Sequence, residues 1–481
     1  MGARLLLIVL LYIVTTYSCN TYSDNDNNLF VVQRDLSQIR ERGKLVAITD
    51  YNSTSYFIYK GEPMGFQYEL LQEFADYLNL ELEIITENDL HVSFEMLNRG
   101  DADLMALNLA INNQRKEMVR FTTPIGYTRQ VLVQRKPDNW LQITRDDLDR
   151  ELVRNQLDLA GKTVYVQSGS SYAQRLRTLQ DEIGDSINII EVPVEVEELI
   201  SLVASREIDY TVCDENVGLV NRTYYSNLDV DTPVSFPQNY GWAMRKTASN
   251  ELAESLNNWI NSFKKSSSYA LLYAKYFKNS RSSRIVKSDS YSLTTGKVSE
   301  YDSYFMQYSD TIGWDWRLLA SLVAQESRFD PGVTSWAGAY GLMQLMPATG
   351  AHFGIDVRSS PENNIRAGIR YITWLQELFE DKVQDEQERL KFILAAYNVG
   401  PGHVLDARQL ARKYGRDPEI WDDNVAYFLL KKSEPEYYHD PVVEHGFCRG
   451  EEPFNYVTEV LDRYTHYQNI VPADGNLSSL R

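Results

Sequence analysis

Glu326 stands where an apolar residue is expected. From Asp315 onward Leu318, Leu319, Leu322 and Val323 recur at helical spacing, and the next place on that stripe, four after Leu322 and three after Val323, belongs to Glu326. A carboxyl group carried onto an apolar face loses its water, so it must find a partner or raise its pKa and hold a proton. In the second case it can act as a general acid and, once ionised, as a base. Arg328 is near in sequence, but two residues along a helix faces elsewhere. The alternative is a boundary glutamate at a fraying helix end, and the helix alone does not separate the two.

The residues that follow bear on that choice. Pro331 is expected to stop the helix, and a turn rich in small residues, Trp336 to Tyr340, leads into Gly341-Leu342-Met343-Gln344 and then Pro347 and Thr349. Small residues let a long ligand approach the backbone. Glu326-Ser327, Gly341-Leu342-Met343-Gln344 and the later Ala396-Tyr397-Asn398-x-Gly400 come in the order and at separations similar to those of the lytic transglycosylases related to goose-type lysozyme. Between them, Asn364-Ile365-x-Ala367-Gly368-x-x-Tyr371-Ile372 is similar to that family's next helix, and Asn455-Tyr456-Val457 to its closing one.

The resemblance implies a mainly α, lysozyme-like domain acting on peptidoglycan glycan strands with one catalytic carboxyl, Glu326. In that family the acid first protonates the glycosidic oxygen while the neighbouring N-acetyl group assists. It then takes the proton of the sugar's own 6-hydroxyl, which closes an anhydro ring. Ser327 and the backbone around Met343 are expected to orient Glu326 or bind the N-acetyl group, and Gln344, Tyr397, Asn398 and Tyr456 to offer contacts along a sugar cleft. For Met343 and Tyr397 a place in the core is the equal alternative. Most glycosidases use two carboxyl groups, so a lysozyme-type hydrolase is the first rival reading, with Asp330 and Asp315 as candidates for the second. A non-catalytic wall-binding sensor is the other.

The elements that must position these groups begin with a leader. Arg4 precedes the apolar run Leu5 to Val14, too short to span a bilayer and suited to a secretory signal. Thr16-Tyr17-Ser18-Cys19 resembles a bacterial lipoprotein signal, which implies lipid on Cys19 and an exported protein anchored at the outer membrane and facing the periplasm. Three cysteines in all imply no disulfide framework, and no Cys/His spacing suggests a metal; no cofactor is expected. A net charge of −19 without a basic stripe excludes nucleic acid as a partner.

With 481 residues, two or three domains with separate cores are expected. Asn20 to Asn28 is polar and Asp/Asn-rich, and residues 20–35 read as a tether. From 36 to 278 strands and helices alternate: strand Leu45 to Thr49, helix Phe66 to Leu78, strand Leu82 to Thr86, helix Ser93 to Arg99 capped by Gly100, strand Asp103 to Ala106. That alternation implies an α/β domain with a parallel sheet, and Asp50 to Gly65 reads as a loop and a turn.

Lys44-Leu45, Gly65-Phe66, Gly100-Asp101-Ala102-Asp103 and Arg115 followed by Phe121-Thr122-x-Pro124 resemble the family-three solute-binding proteins that bind amino acids. The resemblance implies two lobes, crossed near Arg129 and again near Thr232 to Pro237. Within the second lobe, strand Thr163 to Gln167 leads through Ser168-Gly169-Ser170-Ser171 into a helix whose free N–H groups can receive an anion. By resemblance that anion is an α-carboxylate clamped also by Arg115, and Asp214 takes the ligand's amino group, so the effector is expected to be an amino acid or a stem peptide. The family commonly has Thr on the loop before the arginine, and here Asn112 stands there. Residues 279–297, rich in Ser, Arg and Lys, read as a linker. The catalytic-looking domain fills 298–481, helical throughout except for an irregular acidic stretch from Trp421 to Pro453.

Overall fold

A computed structural model of the chain describes residues 35–277, 292 and 296–473. The leader, Cys19 and nearly all of the expected linker lie outside the described residues.

The α/β half is two lobes, each built on a five-stranded sheet. In the first lobe the strands run in the order Glu81–Thr86, Lys44–Thr49, Leu104–Met105, Ala243–Arg245, Val119–Phe121. The first three are mutually parallel, as the alternating pattern predicts. Ala243–Arg245 runs antiparallel to both neighbours, because it is laid down after the chain has returned from the second lobe. The second sheet, Asn188–Val192, Thr163–Gln167, Tyr210–Asp214, Gln130–Arg135, Leu228–Pro233, is mixed for the same reason: the entering strand Gln130–Arg135 is antiparallel to both of its neighbours. The wholly parallel sheet expected from sequence is therefore corrected to two mixed sheets. Next to the crossings, Gly126–Thr128 and Gln238–Tyr240 pair as a two-stranded ribbon that ties them together.

Local signals set most boundaries. The helix Phe66–Leu78 buries Phe66, Leu70, Phe74 and Leu78 on one face and ends at Asn79 in the left-handed conformation. The helix Leu90–Arg99 starts at the Asp89 cap and stops at Gly100, whose φ of +93° suits a residue without Cβ. Helix Ser267–Phe277 has no counterpart in the sequence reading; its buried Tyr276 accepts a hydrogen bond from the Gly65 N–H of the first lobe on its hydroxyl oxygen, at 2.9 Å.

The C-terminal half is a bundle of helices. Trp316–Ser327, Pro361–Glu380, Glu386–Val399 and Glu451–Ile470 enclose its centre, with Pro401–Lys413 outside them. The stretch Trp421 to Pro453 is more ordered than its composition suggests. It contains the helix Ala426–Lys431, buries Trp421, and is pinned by the fully buried Lys432 ammonium donating to Asp406 at 2.5 Å.

Separate cores were expected, and the second lobe has one, around Val131, Val133, Val164, Leu176 and Val212; a smaller cluster around Val46, Ile48, Phe94, Leu97 and Met105 belongs to the first lobe alone. The first lobe and the helical bundle share a continuous apolar cluster running from Leu36 to Val471. The join is made by a hairpin that the sequence reading took for loop and turn: Phe57–Tyr59 pairs antiparallel with Glu62–Met64. Its tip reaches the bundle, where the Tyr467 hydroxyl donates to the Gly61 carbonyl at 2.7 Å. Nearby, the Tyr56 hydroxyl and His466 Nδ1 lie 2.5 Å apart, and Asn469 Nδ2 donates to the Ile84 carbonyl at 2.7 Å. Of the linker residues described, Ser292 is buried against the same hairpin, exchanging hydrogen bonds with Ile58.

Candidate active site

The helix Trp316–Ser327 is capped by Asp315, whose carboxylate accepts from the Arg317 N–H, and it ends as Arg328 and then Phe329 adopt left-handed φ values of +52° and +63°. The helix thus ends before Pro331 is reached, through two residues that rarely take this conformation. Glu326 occupies the last turn, facing helix Glu451–Ile470. Tyr456 on that helix, buried, donates its hydroxyl to Glu326 Oε1 at 2.6 Å.

Burial pushes the Glu326 carboxyl up to about 7; the Tyr456 hydrogen bond opposes the rise and the charge of Glu452 adds to it. The residue is half-buried, so one side remains open to solvent while the carboxyl itself is walled in. A group in this state exchanges its proton near neutrality, as acid–base work requires.

Around it, Met343 is held from both sides of its peptide. Its N–H donates to Asn364 Oδ1 at 2.8 Å, and its carbonyl accepts from the Tyr397 hydroxyl at 2.8 Å. Asn364 Nδ2 donates in turn to the Tyr340 carbonyl at 2.8 Å, so one buried amide fastens both ends of the turn. Gly341 sits there at a φ of +79°, and a Cβ would meet Asn364 Nδ2 at 2.5 Å, which is why this position requires glycine.

The sequence-predicted residues divide. Tyr456 touches the acid; Tyr397 is buried and braces the Met343 turn. Met343 is a core residue, its side chain against Gly368, and only its backbone serves the turn. Ser327 is buried with its hydroxyl donating to the Val323 carbonyl at 3.1 Å, so it does not touch the Glu326 carboxyl here. Gln344, at a φ of +44°, spends its amide on the Gly341 and Val333 carbonyls at 2.8 and 3.2 Å. Asn398 is half-buried and its amide has no hydrogen-bond partner among the described residues, which leaves it for a ligand. Asn364 was noted from sequence only as part of a motif; its role as the organiser of the turn shows only in three dimensions.

The rival second carboxylates fare differently. Asp315 caps the opposite end of the helix, eleven residues from Glu326 or about 16 Å at helical rise, and is occupied by Arg317 and Tyr464. Asp330 is exposed and accepts from the Gly332 N–H at 2.9 Å. The carboxylate whose charge Glu326 feels is Glu452, which the sequence reading did not single out.

In the α/β half, Arg115, Ser170 and Asp214 line one cleft between the lobes. Arg115 is buried on the short helix Asn113–Met118, donating to the Ala110 carbonyl at 3.2 Å, and Asn112 serves as that helix's cap, accepting from the Arg115 N–H at 2.8 Å. Ser170 precedes helix Ser171–Ile183 without capping it: its hydroxyl turns back to the Gln167 carbonyl at 2.6 Å, so the helix's first N–H groups stay free. Asp214 ends the strand Tyr210–Asp214, and burial pushes it up to about 7 against the opposing effects of Arg115 and Tyr172.

A buried acid at a helix end in a lysozyme-like bundle, joined to a two-lobed solute-binding module, defines the class of modular lytic transglycosylases. The matching family models are the transglycosylase SLT domain over residues 303–420 and the bacterial extracellular solute-binding proteins, family 3, over residues 44–279. The chain is 33% identical over 463 residues to the membrane-bound lytic murein transglycosylase F of Desulfosudis oleivorans, covering 96% of this chain and 97% of that protein. Its likeness to the protein of the same name from Aeromonas hydrophila is 30% identity, covering 95% and 87%. Among solved structures, an ancestral amino acid-binding protein, a precursor of cyclohexadienyl dehydratase, is 25% identical and matches 50% of this chain and 98% of that one with a TM-score of 0.42. The chain belongs to the membrane-bound lytic murein transglycosylase F family.

The raised Glu326 has a cost in stability with a defined pH window. The folded carboxyl ionises near 7 and the unfolded one near 4.5, so the folded protein binds more protons between those values and loses stability as pH rises through them. Glu326→Gln should therefore be more stable than wild type by about 1 to 3 kcal/mol at pH 8, discounted for the partial exposure of the group, and no more stable than wild type at pH 4. Denaturant midpoints at the two pH values read this directly, and a gain of the same size at both would show that ionisation is not the cause.

Proposed function

We propose that the protein cleaves peptidoglycan glycan strands without water, with Glu326 as the one acid and base. Protonated Glu326 gives its proton to the oxygen between two sugars, and that bond breaks. The resulting carboxylate then takes the proton of the 6-hydroxyl on the sugar that keeps the anomeric carbon. The freed oxygen bonds to that carbon, which closes the 1,6-anhydro ring and restores the acid. The observation that supports this most is the Tyr456–Glu326 pair: a carboxyl desolvated enough to hold a proton near pH 7, with a hydroxyl that steadies the carboxylate between the two transfers. Asn398, whose amide has no hydrogen-bond partner among the described residues, is our choice for a sugar contact, and Tyr397, Met343 and Gln344 shape the turn beneath it. Ser327 is kept as a substrate contact only through a change of rotamer.

Glu326→Gln should keep the wild-type fold, with no loss of stability, and lose turnover by at least about three orders of magnitude, since an amide cannot shuttle a proton. Mass spectrometry of digested sacculi reads the products. Anhydro ends from the variant at near wild-type rate would overturn the role of Glu326, and reducing ends from the wild type would make the enzyme a hydrolase.

The two-lobed module is read as a regulatory site for an amino acid or a released stem peptide, held by Arg115, Asp214 and the N-terminal turn of helix Ser171–Ile183. A physical route to the catalytic half exists in one segment. The Ser53 N–H donates to Glu197 of the second lobe at 3.2 Å, Tyr56 meets His466, and the hairpin tip at Gly61 lies against Phe329 and Tyr467. Lobe closure on a ligand is thus transmitted to the residues just after Glu326, with a coupling of about 1 to 3 kcal/mol. A Cβ at Gly61 would lie 2.6 Å from the Phe329 ring and 2.7 Å from the Tyr467 hydroxyl. Gly61→Val should therefore still bind the ligand while its turnover stops responding to it; an unchanged response in titrations of turnover against stem peptide would remove this route.

The names of the relatives support a membrane-associated, periplasmic protein, and no helix among the described residues is long and apolar enough to cross a membrane. Lipid on Cys19, holding the protein at the outer membrane, supplies the attachment in our reading. Cys19→Ser should then appear in the soluble periplasmic fraction. Its retention with the membranes would rule the anchor out.

A further inference from the structure

A cavity of about 690 Å³ opens on the edge of the first sheet, and none of Glu326, Arg115, Ser170 and Asp214 lines it. Strand Val119–Phe121, the last in that sheet, lines it together with Ile111 and Pro124. Lys116, Arg120 and Lys246 stand around it, and Lys264 joins them by donating to the Pro124 carbonyl at 2.7 Å. In a chain of net charge −19 these cations are nearly unopposed. Among the described residues Glu117, 3.7 Å from Lys246, is the only carboxylate at ion-pairing distance from any of the four. Far apart in sequence, they make no basic stripe there and meet only in the fold. A guard against edge-to-edge strand pairing would account for a charge on the edge strand itself. Only Arg120 is on that strand, so the other three need another reason.

Two further observations say what this face meets. Met118 and Tyr127 are 41% and 74% exposed beside the cations. Met118 adjoins Val119, and Tyr127 stands directly opposite Asn239, another residue of the cavity, so those two side chains share a face of the two-stranded ribbon. A thioether and a phenol next to a ring of cations suit the boundary of a bilayer, where phosphates lie above hydrocarbon. The second observation is where the chain enters. Residues 20–34, the expected tether, join the described chain at Asp35, and the helix Leu36–Arg42 that follows reaches Glu251 through Arg40 at 3.8 Å. Arg120 reaches the preceding residue, Asn250, at 3.0 Å. The tether therefore enters within one short helix of the cation ring.

Resting on the reading that the protein is tethered to a membrane, we infer that the face formed by Lys116, Arg120, Lys246 and Lys264, with Met118 and Tyr127 beside them, lies on an anionic phospholipid surface. The lysines meet phosphates as point charges, while Arg120 spends Nη1 on Asn250 and keeps Nη2 and Nε for a phosphate. The net negative charge opposes this only from afar: beyond about 8 to 10 Å physiological salt screens it, whereas the ring touches the headgroups. Each cation contributes roughly fivefold in partition, and the tether holds the face at a roughly millimolar effective concentration. Such a contact orients a tethered protein, and washing removes it from an untethered one.

The experiment is vesicle co-sedimentation of purified Cys19→Ser, which carries no lipid, so the anchor plays no part. At low ionic strength, vesicles of equal parts phosphatidylglycerol and phosphatidylcholine should bind it at least ~10-fold better than phosphatidylcholine alone, and about 0.5 M salt should abolish the difference. Lys116→Glu with Lys246→Glu should remove at least ~10-fold of that binding. Arg366→Glu with Arg370→Glu, an equal charge change at exposed positions of helix Pro361–Glu380, should not. Tyr127→Ser should weaken binding and leave its salt dependence unchanged. Unfolding midpoints equal to that of Cys19→Ser establish that each variant is folded. Equal binding to the two vesicles, none included, or equal effects of the two charge-reversal pairs, would overturn the membrane face. Lipid-free sacculi that retain the protein through Lys116 and Lys246, where anionic vesicles do not, would overturn it too and assign the face to peptidoglycan. The anchor itself is read by fractionation of Cys19→Ser, so the tether and the face can fail separately.

Discussion

The Glu326 carboxyl is held between two opposing effects: burial, which favours its neutral form, and the Tyr456 hydroxyl, which favours the ionised one. The balance falls near pH 7, where a group can give a proton and take it back. The pair depends on residues 130 positions apart, so it exists only if the helices Trp316–Ser327 and Glu451–Ile470 pack in one register. That register is fixed by polar contacts as well as by apolar burial. Ser321 donates to the Val460 carbonyl at 2.5 Å, and Arg463 donates to Gln325 at 2.8 Å. Glu452, one turn before Tyr456, adds its charge to the same carboxyl from the helix's first turn.

The helix Glu451–Ile470 also explains why the two halves share a core. Tyr456 serves the acid, while His466, Tyr467 and Asn469, ten or more residues on and so about 15 Å along the axis, meet the first lobe. One helix therefore touches both the Glu326 carboxyl and the hairpin of the first lobe. The second lobe has its own core and joins the first next to the paired ribbon at the crossings.

How much of this was legible in the chain depends on how local each signal is. The burial of the Glu326 carboxyl was legible because a carboxyl on an apolar stripe conflicts with its surroundings. Helix Phe66–Leu78 and the Gly100 cap were legible because periodicity and capping act within a few residues. The hairpin Phe57–Met64 was not: its strands are three residues each, its turn composition mimics a loop, and what stabilises it is the far end of a helix some 400 residues away. Lys432 was equally hidden, since nothing near it in sequence announces that Asp406 will lie beside it in the core. Ser327 and Met343 show the limit of carrying roles by motif. Both sit in the right place, yet the hydroxyl of one and the side chain of the other are used for packing and backbone bonding. The mixed sheets were missed because strand direction depends on when the chain crosses between lobes, which no local pattern encodes.

The account rests on the proton state of one carboxyl, and that can be measured without substrate. Carbon-13 labelling of glutamate side chains, with Glu326→Gln to assign the resonance, lets the Glu326 carboxyl be titrated by NMR in the folded protein. The predicted midpoint is about 7. A midpoint for Glu326 at or below 4.5 would mean that the group is ionised throughout the working range, and a single-carboxyl acid–base mechanism would then be contradicted.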